Sequence, residues 1–438
     1  MTSWLPASGA AITVADHPKS VRGSAEAALP VLLAVCSVAP WPVANGYALR
    51  VYHLLEQLAA MWRIKLVAPL PAEGIGGFPA EVAQYIPVDL PGPGRPYPWR
   101  HDQSALRAAV QAAVAQHRPD RGLAWRGAEA VWMGTPDLPP GVADIIDCTT
   151  LDLWRGLAVQ QGVRDRGRKL KELGVSAWFA RRMVRTFSAV VCAGEADARW
   201  LRRVGGRASV TVVSNGVALP SAGEGDGTPD QPRLGFAGTL DFEPNVDAVG
   251  FLVGAIWPLV RAACPEAELL IAGRRPTAAI RAHDGRNGIT VQADVPDMAG
   301  VLRQCRVSIA PMRSGVGVKN KVLEAWASGV PVVLTPLAVN GLEVPRGHER
   351  LIRSSARSLA DAVVAMLGDG AEARRLGAEA RRHVSERHTW ASSAREIDRL
   401  LRAAAPDHLS RPRSAPLPAP RLKAPAGSYP RAGRAGPS

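Results

Sequence analysis

The chain has 438 residues, 47% hydrophobic and 21% charged, with 53 basic residues against 39 acidic ones and a formal charge of +14. That length predicts two or three domains with cores of their own, and the hydrophobic content excludes a wholly disordered chain. No stretch approaches the roughly 18–20 uninterrupted apolar residues of a membrane-crossing helix. The positive charge suits an anionic partner such as a nucleotide, a lipid phosphate or a membrane surface, without choosing among them.

Residues 1–28 read as unstructured. The apolar run Leu29–Ala39 (LPVLLAVCSVA) has the look of a signal-peptide core. It lacks a compact basic segment before it, however, and more of the same fold pattern follows, so it reads as a first buried strand. A Pro/Gly loop, Ala39–Gly46, leads to a helical pattern over Tyr47–Met61 with Leu49, Tyr52, Leu55 and Leu58 three residues apart. With the strand Ile64–Ala68, these segments form a βαβ unit. Short apolar runs predict further strands at Ala130–Met133, Asp144–Asp147, Ala189–Cys192 and Ser209–Val213. Pro220–Pro232 has linker composition.

Beyond the linker the pattern repeats. A strand at Leu234–Ala237, a loop Gly238–Asn245, a helix Val246–Ala262 and a strand Glu268–Ile271 are followed by strands at Ile289–Gln292, Val307–Ala310 and Pro331–Leu334. Ser358–Ala404 predicts two or three helices, broken near Gly368–Gly370 and His388–Trp390. From Pro406 onward, eight prolines and six basic residues read as an unstructured tail. The fold class is therefore α/β, with two doubly wound Rossmann-like domains facing across a cleft at their strand ends. The boundaries expected are 29–218 for the first domain, 219–232 for the linker, 233–385 for the second domain and 386–404 for a helix crossing back, with loose ends at 1–28 and 405–438. The five cysteines Cys36, Cys148, Cys192, Cys264 and Cys305 are widely spaced with no C-x-x-C, which fits reduced core thiols and no zinc site.

Candidate chemistry concentrates in Val307–Pro336 (VSIAPMRSGVGVKNKVLEAWASGVPVVLTP). Gly315 and Gly317 let backbone approach a ligand closely. Amides opening the helix near Asn320 suit an anion, Lys319 and Lys321 add two ammonium groups, and Glu324 offers an acceptor for sugar hydroxyls. Lys321 and Glu324 are equally an ordinary helix pair at i, i+3.

This segment resembles the signature of retaining group 1 glycosyltransferases, family 4 of the glycosyltransferases, which have the GT-B fold. Glu324–Val333 (EAWASGVPVV) matches its second half closely, while Val316 stands where the first signature Glu belongs. The run from Gly315 to Glu324 is similar to a subgroup associated with exopolysaccharide and surface-polysaccharide sugar transfer. Matching features are Phe236–Ala248, Pro258 with Pro265, Ile271–Gly273, Val295 with Asp297, the opening loop Pro40, Pro42, Gly46 and Arg50, and Val213–Val217 on the hinge side.

The resemblance implies a cytoplasmic enzyme that can sit peripherally on the inner face of a membrane. It would move a sugar with retention from a nucleotide-diphosphate donor to a saccharide or lipid-linked acceptor. The sequence has no acidic pair with metal-ligand spacing such as Asp-x-Asp where a metal-dependent fold would place it, and nothing resembling a nucleic-acid module with interleaved aromatics, so no metal or other cofactor and no nucleic-acid partner are expected. The resemblance assigns donor binding to Glu324, for the ribose, and to Gly46, Gly238, Thr239, Asn245, Gly315, Gly317 and Asn320. The arginine and lysine that commonly clamp the diphosphate fall here at Thr239 and near Asn245, so Lys319, Lys321 or Arg50 is expected to supply the charge. The strand end read at Val131–Thr135 carries no His facing the reacting sugar. Asp147 is the substitute catalytic candidate alongside Lys319, or else an Asp that caps a turn. The nine histidines, His53 among them, read as surface or capping residues.

The basic stretch Arg164–Arg185 either docks on an anionic membrane or is a solvated helix packing Leu170, Leu173, Trp178 and Phe179 on its own domain. The missing motif residues leave one rival of another class, a non-catalytic nucleotide-sugar-binding or scaffold protein. A sugar-nucleotide epimerase on the same fold is a third reading.

Overall fold

The structure, a computed structural model, describes residues 29–43, 45–71, 74–90, 103–157, 163–206, 208–220, 231–315 and 317–404. The expected loose ends, most of the linker and Val316 lie outside the described residues.

The first domain runs β1 (Val31–Val35), α1 (Gly46–Leu58), β2 (Arg63–Pro69), β3 (Gln84–Val88), α2 (Ser104–His117), β4 (Arg121–Trp125), α3 (Glu129–Gly134), β5 (Gly141–Ile146), α4 (Thr149–Leu157), α5 (Val163–Thr186), β6 (Ala189–Cys192), α6 (Glu195–Val204) and β7 (Ser209–Val212). Its seven strands form one parallel sheet in the order β3-β2-β1-β4-β5-β6-β7. The second domain runs β8 (Arg233–Thr239), α7 (Glu243–Phe251), α8 (Trp257–Ala263), β9 (Glu268–Arg274), α9 (Ala278–Arg281), β10 (Ile289–Ala293), α10 (Met298–Arg303), β11 (Val307–Ala310), α11 (Asn320–Ala327) and β12 (Val332–Leu334). Its parallel order is β10-β9-β8-β11-β12. The helices α12 (Ala356–Gly368), α13 (Gly370–Arg387) and α14 (Trp390–Ala403) follow.

Parallel strands need crossover helices on both faces, so their side chains are apolar along their whole length. β1, β5, β6, β11 and β12 are buried at every position. A π-type turn at Leu252–Ile256 joins α7 to α8. By length and hydropathy the combined helix Glu243–Ala263 would pass for a membrane span. Instead its Ala248, Val249, Leu252, Ile256, Trp257 and Val260 fill the second core.

The run Ala130–Met133 is not a strand but the helix α3. Its Trp132 indole lies over β4 and β5, where the absent side chains of Gly122 and Gly141 make room; a Cβ at Gly122 would come within 2.0 Å of the ring. The strand of this region is β4, further upstream. In α5, Val175, Ala180, Met183 and Val184 face the core, while Leu170 and Trp178 point outward rather than packing on the domain.

The last helix, α14, crosses back to the first domain. Thr389 and Ser392 form a reciprocal capping box at its start. Trp390, Ala394, Ile397, Leu400 and Leu401 belong to the core built on α1, β1 and β4. Trp62 Nε1 donates to Asp398 Oδ1 at 2.7 Å, and Arg121 Nε to the Leu401 carbonyl at 2.9 Å. Ile397→Ala should cost about 2–5 kcal/mol of stability, measurable by urea denaturation followed through tryptophan fluorescence. A loss below about 1 kcal/mol would mean that α14 contributes little to the first core.

Candidate active site

The C-terminal ends of the two sheets face one another, and the loops leaving them line a cleft. Its open part has a volume of about 230 Å3 and is bounded by Leu49 and His53 of α1, the crossover segment Gly216–Pro220, Met298, Ala299, Asn320, Glu324, Ser328 and Trp390. The His53 ring stacks on Trp390 with centroids 5.2 Å apart, so it lines the cleft rather than a free surface.

On the second domain, Gly238 and Thr239 end β8. Asn245 of α7 donates from Nδ2 to the Thr239 carbonyl at 2.8 Å and accepts from Lys321 Nζ at 2.5 Å. The Lys321 ammonium also sits 4.5 Å from the centre of the Phe236 ring, and a Cβ at Gly238 would be 3.1 Å from it. Enclosure lowers its pKa to about 7, against the opposing pull of Glu324. Burial conversely raises the pKa of Glu324, with Lys321 and then Arg274 acting the other way. Arg274, the exposed last residue of β9, thus brings a cation to the site that no motif had pointed to.

Gly315 and Gly317 have φ of +99° and +73°, conformations that side chains with a Cβ avoid. Lys319 folds back and donates to the Gly317 carbonyl at 2.9 Å. Gly317 presses on the first domain, where a Cβ would lie 2.5 Å from Asp147 Oδ1.

Asp147 is held there by a strained turn. β5 shifts register between Asp144 and Ile146, Ile146 has φ +62°, and Asp147 N donates to the Ile145 carbonyl at 2.7 Å. This is a γ-turn centred on a β-branched residue, a conformation costing of order 1–3 kcal/mol. Asp147 therefore stands just past the strand rather than closing it. Its Oδ1 is buried and, among the described residues, has no hydrogen-bond partner. Burial raises its pKa, opposed chiefly by Arg126, then by Lys319 and Arg50. Arg126, just past the end of β4, likewise has a buried Nε that meets no partner among the described residues. With Ala130–Met133 reading as the strand, this arginine falls at no predicted strand end.

Gly46 opens α1, beside Asn320. Arg50 corrects the expectation placed on it. It is wholly buried, donating from Nε and Nη2 to Asp144 at 2.8 and 3.2 Å and from Nη1 to Asn215 Oδ1 at 2.8 Å. A guanidinium so enclosed and so paired does not reach a ligand in the cleft. The structure thus brings together Gly46, Asp147, Gly238, Thr239, Asn245, Gly315, Gly317, Lys319, Asn320, Lys321 and Glu324, and withdraws Arg50. Among the described residues, no group of three or more His, Cys, Asp or Glu is arranged to hold a metal ion.

Two facing parallel α/β domains with their strand ends turned to a shared cleft define a GT-B fold. Residues 231–405, the second domain with the helices that follow it, match the model of the family described as glycosyl transferases group 1. Among solved structures, HepE of Anabaena, in complex with UDP and glucose, aligns with a TM-score of 0.60 and 13% identity over 85% of this chain and all of that one. A UDP-forming α,α-trehalose-phosphate synthase from Burkholderia xenovorans aligns with a TM-score of 0.58 and 13% identity, over 86% and 99% of the two chains. TarM aligns with a TM-score of 0.51 and 14% identity over 69% of this chain, which spans 58% of the length of TarM. At these identities the likeness establishes the fold. No curated protein matches the chain.

An anion bound against Lys321 would raise the pKa of that lysine from about 7. Binding then takes up a proton above pH 7, so affinity for pyrophosphate should fall as pH rises from 7 to 9. Titration calorimetry in two buffers of different ionisation enthalpy would detect that proton, and a pH-independent affinity would remove Lys321 from the site.

Proposed function

We propose that the protein is a retaining glycosyltransferase that takes a sugar from a nucleotide-diphosphate donor bound on the second domain. The observation that carries this reading is the approach of Gly317 to Asp147 across the cleft, which sets an enclosed acid against the glycine turn and Lys319. The match of residues 231–405 supports it. Glu324 holds the ribose, backbone amides of Gly315 and Gly317 meet the donor sugar, and Lys319 and Lys321 stabilise the departing diphosphate. In the transfer, the bond from the anomeric carbon to the diphosphate breaks and a bond to the acceptor oxygen forms on the same face. The acceptor proton passes to Asp147 or to the leaving phosphate oxygen. Structures of HepE hold UDP and UDP-glucose, which makes UDP the first nucleotide to test here.

The same reading extends to the acceptor, a saccharide or lipid-linked saccharide in surface or exopolysaccharide synthesis, and to a cytoplasmic enzyme working without a divalent metal. Exposed apolar side chains, Trp154 of α4 and Leu170 and Trp178 of α5, with the basic residues Arg166, Arg168, Lys169 and Lys171 on the same helix as the last two, support peripheral contact with an anionic membrane.

Thermal shift and calorimetry against UDP, GDP and ADP and their sugars should find one nucleotide bound, with affinity lost in Glu324→Ala. Binding of none would overturn the reading. With donor and acceptor in hand, turnover should persist in chelator. Asp147→Asn should lower kcat by about 100-fold or more if Asp147 takes the proton, with little change in donor affinity. Because the folded environment raises the pKa of Asp147, its ionised form is lost as pH falls through a value above the usual carboxylate range. The acid limb of the rate profile should lie correspondingly high and vanish in the variant.

A further inference from the structure

Four side chains form a hydrogen-bonded line from the first sheet to the start of α11: Asp144, Arg50, Asn215 and Asn320. We propose that the Asn320 amide donates from Nδ2 to the diphosphate of the bound nucleotide, and that Asp144, Arg50 and Asn215 lock it in the orientation that allows this. The inference rests on the donor reading above.

The direction of each bond follows from chemistry. A guanidinium only donates, so the Asn215 atom lying 2.8 Å from Arg50 Nη1 is the carbonyl oxygen. The planar amide then turns its NH2 to the other side, where it meets Asn320 at 2.8 Å. Because Asn215 is the donor in that contact, Asn320 must present its oxygen. The ambiguity that normally attaches to an asparagine amide is thus removed twice in succession by one charge. Asn320 Nδ2 is left facing away from the line. Among the described residues it meets no acceptor, and it lies 3.9 Å from where a Cβ on Gly46 would be.

Both ends of that gap suit an anion. Gly46 opens the 13-residue helix α1, whose N-cap Asn45 accepts from Ala48 N at 2.9 Å, and among the described residues the amides of Gly46 and Tyr47 meet no acceptor. Asn320 lines the cleft one helical turn before Glu324. A diphosphate reaching from the second domain toward Gly46 passes the Nδ2 group. With Arg50 buried, Asn320 carries the polarity of that arginine into the cleft without its charge, as a positioning line ending in a donor.

Two substitutions separate this from a structural role. Asn320→Asp replaces the donor with a carboxylate at a helix N-terminus, where an acid is tolerated. Asn215→Asp still accepts from Arg50, and more strongly, but can no longer donate. Asn320 then turns its NH2 toward the new carboxylate and its oxygen toward the diphosphate. Calorimetry on the full chain would compare the nucleoside diphosphate that wild type binds, among UDP, GDP and ADP, with the corresponding nucleoside. Each variant should weaken diphosphate binding by about tenfold or more, with nucleoside affinity and Tm held. Unchanged diphosphate affinity in both variants, or equal losses for nucleoside and diphosphate, would overturn this inference while leaving the donor reading intact. Wild-type protein that binds no nucleotide would overturn both.

Discussion

A guanidinium shut off from water must find its hydrogen bonds inside the protein, and Arg50 finds them on Asp144 and Asn215. Such a buried pair is weak evidence for stability, since the desolvation of both ions offsets much of their attraction, yet removing one partner is costly. Its value here is geometric. Asp144 Oδ1 also accepts from Ile146 N at 3.2 Å, inside the turn that presents Asp147. The other end of Arg50 sets the orientation of Asn215. One ion pair therefore supports the acid on the first-domain side of the cleft and the amide on the second-domain side. A change at Arg50 would disturb both at once while touching neither.

The charges within reach of the cleft are arranged unevenly. Arg126 lies on the first-domain side, while Arg274, Lys319 and Lys321 come from the second. Each carboxylate facing them, Asp147 or Glu324, is pushed toward its neutral form by burial and drawn back by these cations. An incoming diphosphate would compete with the carboxylates for the same positive groups. Its effect would be greatest on the enclosed Lys321, whose pKa burial lowers to about 7.

The fold was legible wherever apolar runs were continuous, as in β1, β6 and β11, and wherever glycines and caps punctuated the helices, as between α12, α13 and α14. It was not legible in β3 and β4, each five residues long and interrupted by Pro87 or Gly122, nor in α3, whose run of Ala130 to Met133 is too short for periodicity to separate strand from helix. Much of the second-domain half of the site could be read because Gly315, Gly317, Lys319, Asn320, Lys321 and Glu324 lie within ten positions on one loop and helix. On the first domain Gly46 and Asp147 were visible in their loops, but the partners that hold them were not. Arg50 looked like a cleft cation because nothing local reveals a neutralising partner 94 residues away. Asn215 was visible as part of a motif, but its bonds join segments 165 and 105 positions distant.

The return of α14 to the first core has a consequence for how the molecule is made. Ile397 and Leu401 are wholly buried beneath α1 and β4, so segments synthesised before the second domain wait for one synthesised after it before their hydrophobic face is covered. The second domain, whose strands and enclosing helices lie between those two parts of the chain, has all its own pieces first. Vectorial synthesis would then invert the order of the sequence, with the later domain folding on its own and the earlier one closing around the final helix. The two backbone crossings meet where Val217 N donates to the His388 carbonyl at 2.9 Å, and that clasp forms only once α14 is in place.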